Sequence, residues 1–366
     1  MPSFSENPSI SSSFDNDSSS ASFLYSSPGL FSPKASLGLT LDLFSALESY
    51  VKEVSLYEEC ASFLPEPLRR VYMASLLRKS FSSLCKIDGY KEKEVEAIFP
   101  LAKEVLQERI FSNVIRSTFD VMDFLSFLGY EGDKGSFFRD RTVHNFINFH
   151  GFSIGNSLST VSGVKTGLSD ALSSIYEIKT RVPSIYHFLL LLTFENIHPL
   201  KEGNGIVGHL MFANELKCRG YKFFPYLALV AINEKRKEYF SSYYYYEERE
   251  NNLNAEVFIV SLMKAITIVI KKERLTLLKV MKEDEASFLL PSNLALRKFY
   301  LSLYKAYEVS STPEGVDYKT LMGLGFSERT LRRNVNALAK GGYVAINKDG
   351  KKRLVKPIAT TLKKGD

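Results

Sequence analysis

Apolar residues recur at helical spacing from Leu39 to about Leu128, as in Leu41, Leu43, Phe44, Leu47 and Val51, and again in Val95, Ile98, Phe99, Ala102 and Val105. That half of the chain is expected to be helical. Between Phe137 and about Gly167 the pattern changes to alternation interrupted by glycines (Val143, Phe146, Ile147, Phe149, then Gly151, Gly155 and Gly163), which predicts a short hairpin or irregular flap. Helical spacing returns over Pro183 to Phe194, over Ile206 to Lys217 with Gly220 closing it, and over Asn254 to about Lys282. No internal repeat of roughly 20–50 residues is present, which excludes a solenoid.

Near the C-terminus, Asn293 to Tyr307 predicts an amphipathic helix and Tyr318 to Leu324 a short second one. Ser327 should N-cap a third over Glu328 to Lys340, ended by Gly341 and Gly342. Residues 343–347 and 351–355 read as two strands joined by a turn at Lys348, Asp349 and Gly350. Helix, turn, helix and hairpin predict a winged helix. Before Leu39 the chain holds 14 serines and one basic residue, Lys34, and too little apolar area to order itself, so a disordered tail is expected. The expected divisions are the tail at 1–38, a helical segment at 39–130, a helical core with a flap at 131–285, and the winged helix at 291–366.

Composition narrows the class further. With 366 residues, 45% of them hydrophobic and 24% charged, the chain suits two modules plus a tail. No apolar run approaches the roughly 20 residues of a membrane span, so no membrane partner is expected. Cys60, Cys85 and Cys218 are widely spaced, without a C-x-x-C pair, and predict reduced, buried thiols and a cytoplasmic site of action. The leader lacks the basic start and apolar stretch of a secretory signal. Its serine-rich, charge-poor composition also resembles the N-termini of bacterial effectors exported by contact-dependent secretion. The net charge of +6 is unevenly held: from Pro291 onward there are 15 Lys and Arg against 6 Asp and Glu, so the remainder is net acidic. Such asymmetry fits a nucleic-acid-facing module and equally a solvated basic surface.

Between two apolar helices runs Phe194-Glu195-Asn196-Ile197-His198-Pro199-Leu200-Lys201-Glu202-Gly203-Asn204-Gly205. Pro199 and Gly203 should end the first helix and force a tight loop. Gly205 then opens the second, so free backbone N–H groups at a helix N-terminus would attract phosphate. His198 is able to accept a proton from a hydroxyl near neutral pH, and Glu202 offers a hard oxygen to magnesium. The plainer reading of the same residues is a helix–turn–helix corner with a satisfied histidine.

This stretch resembles the Fic signature, H-P-F-x-[D/E]-G-N-G-R-x-x-R, and the surrounding helices, about Ser55 to Lys271, resemble the Fic or Fido domain. The fold class implied is mainly α: a Fic-type helical bundle with a short β-hairpin flap, followed by a winged helix-turn-helix domain. The implied activity is transfer of AMP, or another nucleotide-derived phosphoryl group, from ATP or another nucleotide onto a Ser, Thr or Tyr hydroxyl of a target protein. By that resemblance His198 is the general base, Glu202 the Mg2+ ligand, and Gly203, Asn204 and Gly205 the phosphate loop. His209 and Tyr239 are implied as further nucleotide contacts, Tyr239 through Lys237-Glu238-Tyr239-Phe240. Phe149 to Val164 falls where the family has its target-aligning flap. The chain departs from the signature at Leu200 for Phe, and at Ile206 and His209 for the two arginines that hold phosphates. Ser82 to Gly89 resembles a degraded copy of the family's inhibitory helix, with Asp88 in place of its Glu; it also reads as a helix C-terminus capped by Gly89. In the C-terminal module, Arg329, Arg332, Arg333, Lys351, Lys352 and Arg353 are the expected DNA contacts, with protein docking as the alternative.

Overall fold

The computed structural model describes residues 40–130, 137–140, 160–242, 252–282, 291–310, 312–349 and 352–358, together with the strands 24–26, 34–38, 143–147, 152–156 and 246–247. Two short strands lie in the serine-rich leader, β1 (Leu24–Ser26) and β2 (Lys34–Gly38), where no order was expected. A ladder needs backbone partners rather than an apolar core, and later residues supply them. The first helices are α1 (Leu41–Ser62), α2 (Glu66–Ile87), α3 (Glu92–Ile98), α4 (Ala102–Gln107) and α5 (Thr118–Phe127). Thr40 starts α1 by accepting from the Leu43 amide, and Ser117 starts α5 in the same way.

The hairpin is β3 (Val143–Ile147) against β4 (Phe152–Asn156), antiparallel. The expected flap from Phe149 to Val164 is only partly this hairpin, because α6 (Val161–Arg181) begins within it. Thr160 caps α6 by accepting from the Gly163 amide. Val164, Leu168, Ala171, Leu172 and Ile175 are its buried residues at helical spacing, so Gly163, one of the glycines that suggested a flap, stands inside a helix, while Gly155 lies in β4.

A 3-10 turn at Pro183–Ile185 leads into α7 (Tyr186–Ile197), followed by α8 (Asn204–Cys218), α9 (Phe224–Glu234) and α10 (Arg236–Ser241). Both α7 and α8 are buried around nearly their whole circumference, which explains their unbroken apolar sequences. They pack on each other, with α6 and α9 alongside. Strands β5 (Tyr246–Glu247) and β6 (Asn252–Asn254) complete a four-stranded sheet of order β1-β2-β6-β5, in which β2 and β6 are parallel. The long α11 (Ala255–Lys282) packs on α1 and α9. No described helix is long and apolar enough to cross a membrane. Cys60 and Cys85 are buried as expected, but Cys218, at the end of α8, is exposed.

The C-terminal elements are α12 (Leu294–Ser310), β7 (Val316–Asp317), α13 (Tyr318–Met322), α14 (Glu328–Lys340), β8 (Val344–Asp349) and β9 (Lys352–Pro357). Ser327 caps α14 as expected, and a strand absent from the sequence reading, β7, extends the hairpin into an antiparallel sheet of order β7-β9-β8. Helix α2 is the bridge to the body: it packs on α9 on one side and α12 on the other, and the Ser75 hydroxyl donates to the Ser310 carbonyl at 2.8 Å.

Candidate active site

The loop between α7 and α8 is fixed by its neighbours. His198 ends α7 in the left-handed region, at φ 50° and ψ 57°, and is the one non-glycine residue with positive φ among the described residues. Such a conformation costs an L-residue about 1–2 kcal/mol and persists where the surroundings impose it. Here residues 137–139 run antiparallel to 199–201: the Arg139 amide donates to the Pro199 carbonyl at 2.9 Å and the Lys201 amide to Phe137 at 3.0 Å. The buried Arg139 side chain donates through Nε to the His198 carbonyl (2.9 Å) and through Nη2 to the Ile197 carbonyl (3.1 Å). A cation thus closes the C-terminal end of α7, where the helix dipole favours one.

Asn204 clamps the loop from the other end. Its Oδ1 accepts from the Leu200 amide at 2.7 Å and its Nδ2 donates to the Leu200 carbonyl at 2.9 Å. The Asn204 side chain is therefore committed to the loop, leaving backbone amides as its means of meeting a phosphate. Gly203, at φ 74°, lies so close to the Phe99 ring that a Cβ would collide with it, and its amide donates to the Tyr90 hydroxyl at 3.3 Å. Glu202 is exposed, with no ion pair among the described residues.

The start of α8 is not open. A Cβ on Gly205 would overlap the Asp88 carboxylate, which lies against the N-terminus of α8 where an anion is favoured. Asp88 arrives there because α2 ends in a Schellman cap: the Tyr90 amide donates to the Cys85 carbonyl (2.9 Å) and that of Gly89 to Lys86 (3.3 Å). Arg236 Nε donates to the Ile87 carbonyl at 3.0 Å and steadies the same turn. The cap reading of Ser82 to Gly89 holds, and the Gly89 cap is what aims Asp88 at the loop.

Behind Asp88 lie two further groups. Asp88 Oδ2 is 3.5 Å and Glu195 Oε1 3.9 Å from Nδ1 of His209, which is wholly buried. Burial opposes a charge on His209, but Asp88, with Glu195 and the Gly205 carbonyl, outweighs it and holds the imidazole above its usual value. Burial and the Asp88 charge push the Glu195 carboxyl up to about 8, against the pull of His209. The three groups have the spacing of metal ligands. His209 Nδ1, however, lies 2.7 Å from the Gly205 carbonyl, which only an N–H can satisfy, so the cluster reads as a proton-sharing one. Burial, with the Arg139 charge added, lowers His198 to about 4, so it is a neutral proton acceptor at pH 7.

The loop thus brings together His198, Glu202, Gly203, Asn204 and Gly205, all anticipated. His209 faces Asp88 rather than the open side of the loop, and Tyr239 is buried with its ring 5.5 Å from that of His209, so both stand behind the site. Ile206 is buried in the core. The sequence reading gives no site role to Arg139, Tyr90, Glu195 or Phe99: Glu195 stands only within the motif string, one turn before His198, and Phe99 only as an apolar position at helical spacing. Of the expected DNA contacts, Arg329, Arg332, Arg333, Lys352 and Arg353 are exposed, and Lys351 lies outside the described residues.

The sequence matches no protein-family model and no curated protein. Among solved structures the chain is similar to a Fic family protein from Desulfovibrio desulfuricans G20, with 16% identity over 87% of this chain and 97% of that one and a TM-score of 0.47. At that score the likeness is too loose to bear on function, which rests on the residues of the loop.

Proposed function

We propose that this protein is a Fic-type nucleotidyltransferase that moves AMP from ATP, or a corresponding group from another nucleotide, onto a protein hydroxyl, and that it is restrained by its own Asp88. The observation that carries the reading is the pairing of a neutral, conformationally imposed His198 at the end of one helix with an anion-seeking helix start at Gly205, seven residues on, already filled by a carboxylate. Once Asp88 withdraws, the backbone amides of Gly203 to Gly205 can hold phosphate oxygens. The target hydroxyl oxygen then bonds to the α-phosphorus, the bond from that phosphorus to the β-bridging oxygen breaks, pyrophosphate leaves, and His198 takes the hydroxyl proton. Phosphate charge beside His198 raises its proton affinity, which makes it a better base in the complex than in the free protein.

A lone exposed Glu202 suits magnesium, which keeps several waters and takes its other oxygens from phosphates. Bound there, the ion would neutralise charge on the departing pyrophosphate. The edge of β4 can align a target segment by strand addition. We read the C-terminal helices and hairpin as a winged helix. A second reading, a nucleotide-binding regulator without transfer, is favoured by one feature: Ile206 and His209 stand where the Fic signature has phosphate-holding arginines. Incubating wild type and Asp88→Asn with α-labelled ATP, GTP, CTP and UTP separates the two. Label on protein from Asp88→Asn supports transfer, and nucleotide binding with no label from any of the four supports the regulator.

A further inference from the structure

A cavity of about 950 Å³ lies away from the loop, between α2 and the C-terminal elements. Six cationic side chains line it: Arg70 and Arg78 from α2, Lys319 from α13, Arg332 from α14, and Lys352 and Arg353 from β9. Two carboxylates share the cavity, and both are engaged. Asp317 accepts from the Thr320 amide at 2.6 Å as the N-cap of α13, and Glu328 pairs with Arg332 at 2.6 Å. Lys319, Lys352 and Arg353 have no ion pair among the described residues and are exposed. Arg70, Arg78 and Arg332 have carboxylate partners in Glu66 (3.5 Å), Asp317 (3.9 Å) and Glu328, so the excess positive charge is that of Lys319, Lys352 and Arg353, whose mutual repulsion an anionic ligand would remove.

We propose that this cleft is a binding site for a compact anion carrying two or more phosphates, such as a nucleoside polyphosphate. Shape separates this from a duplex interface. The cations come both from α2 and from the C-terminal elements and line a concave volume at the upper end of the range of roughly 300–1,000 Å³ typical of small-molecule sites, whereas a duplex is met by a protruding helix or ribbon. Arg332, Lys352 and Arg353, expected from sequence to grip DNA, line the same cleft as Arg70 and Arg78 of α2. Tyr318, half-buried in the same cleft, brings a hydroxyl donor and a ring face. Burial raises its phenol while Arg353 and Arg332 pull the other way, which places both guanidiniums within electrostatic reach of that ring.

The test is calorimetric titration of the full chain with sodium tripolyphosphate, for wild type and for the variant Lys319→Ala/Lys352→Ala/Arg353→Ala. These exposed side chains support no core, and thermal melting verifies that the variant folds. The expected result is saturable binding by wild type, weakened at least about tenfold in the variant as charge-assisted contacts are lost. Absence of binding by wild type would overturn the proposal. So would unchanged affinity in the variant, which would put the anion elsewhere, including the α8 start. In a second arm, a 20-base-pair duplex at equal phosphate concentration should leave tripolyphosphate bound. Displacement by the duplex, with a steep dependence on salt, would make the surface a nucleic-acid interface and sink the small-ligand assignment.

Discussion

Replacing Asp88 with Asn removes one charge from the start of α8 while keeping the shape of the α2 cap, because Asn is also at home at helix ends. An anion at a helix N-terminus gains about 0.3–1 kcal/mol when exposed and up to about 2 kcal/mol when partly buried. Asp88 is partly buried and also lies 3.5 Å from His209 Nδ1. A nucleotide phosphate in the same cradle would take over both interactions, so what it must overcome is the free energy by which Asp88 already holds the place. Taking that as about 1–2 kcal/mol, the substitution should tighten nucleotide binding by about 5–30-fold. Titration calorimetry with a non-hydrolysable ATP analogue and magnesium reads this directly, and thermal melting verifies that the variant is folded. The proton count gives an independent sign: without its first anionic partner His209 should lose its raised affinity for a proton, and nucleotide binding to Asp88→Asn should take up a proton as the phosphate restores that partner. Unchanged or weaker affinity in a folded Asp88→Asn protein would refute the idea that Asp88 competes for the cradle.

Four other substitutions probe the same geometry. His198→Gly should raise stability by up to about 1 kcal/mol by relieving the left-handed backbone while abolishing transfer, a split that melting and labelling measure together. Arg139→Leu strips the Ile197 and His198 carbonyls of their buried donors and should cost about 2–4 kcal/mol in chemical denaturation. Gly203→Ala meets both a positive φ and the Phe99 ring, and should lower the melting temperature by several degrees, more than Gly220→Ala, which has open space around it. Glu195 folds with its carboxyl raised to about 8, so its contribution to stability is present below its unfolded value of about 4.5 and lost as pH rises toward 8. Glu195→Gln, which imitates the protonated acid, should therefore stabilise more at pH 8 than at pH 5. With His198 lowered to about 4, the acid limb of kcat/KM assigned to the free base should lie near that value instead of near 6.5.

Sequence pattern was most informative where burial is most complete. The α7 and α8 helices are apolar on nearly every face, and Pro199 and Gly203 between them leave few alternatives to a tight loop. The C-terminal helices were legible through Ser327 and the glycines after Lys340. Helix α6 was misread because Gly163 and Gly167 drew the eye to turns, although Val164, Leu168, Ala171 and Ile175 keep a helical stripe. What the pattern could not convey is contact across the chain. Arg139 reaches the His198 carbonyl from 59 residues away and sits in no periodic context. Asp88 is one residue past a helix end, and only the packing of α2 against α8 brings it over Gly205. The cationic cleft depends likewise on how α2 meets the C-terminal elements, so its residues looked like an outward-facing surface until that packing was known.

The central claim, that His198 performs transfer at a cradle Asp88 keeps closed, is tested most directly by α-labelled nucleotide transfer in three proteins side by side: wild type, Asp88→Asn, and Asp88→Asn combined with His198→Ala. Protein-bound label should be low in wild type, rise at least about fivefold in Asp88→Asn, in keeping with the energy assigned to the self-held carboxylate, and vanish in the double variant. Label that survives the loss of His198, or an Asp88→Asn protein that binds nucleotide but labels no better than wild type, would contradict it.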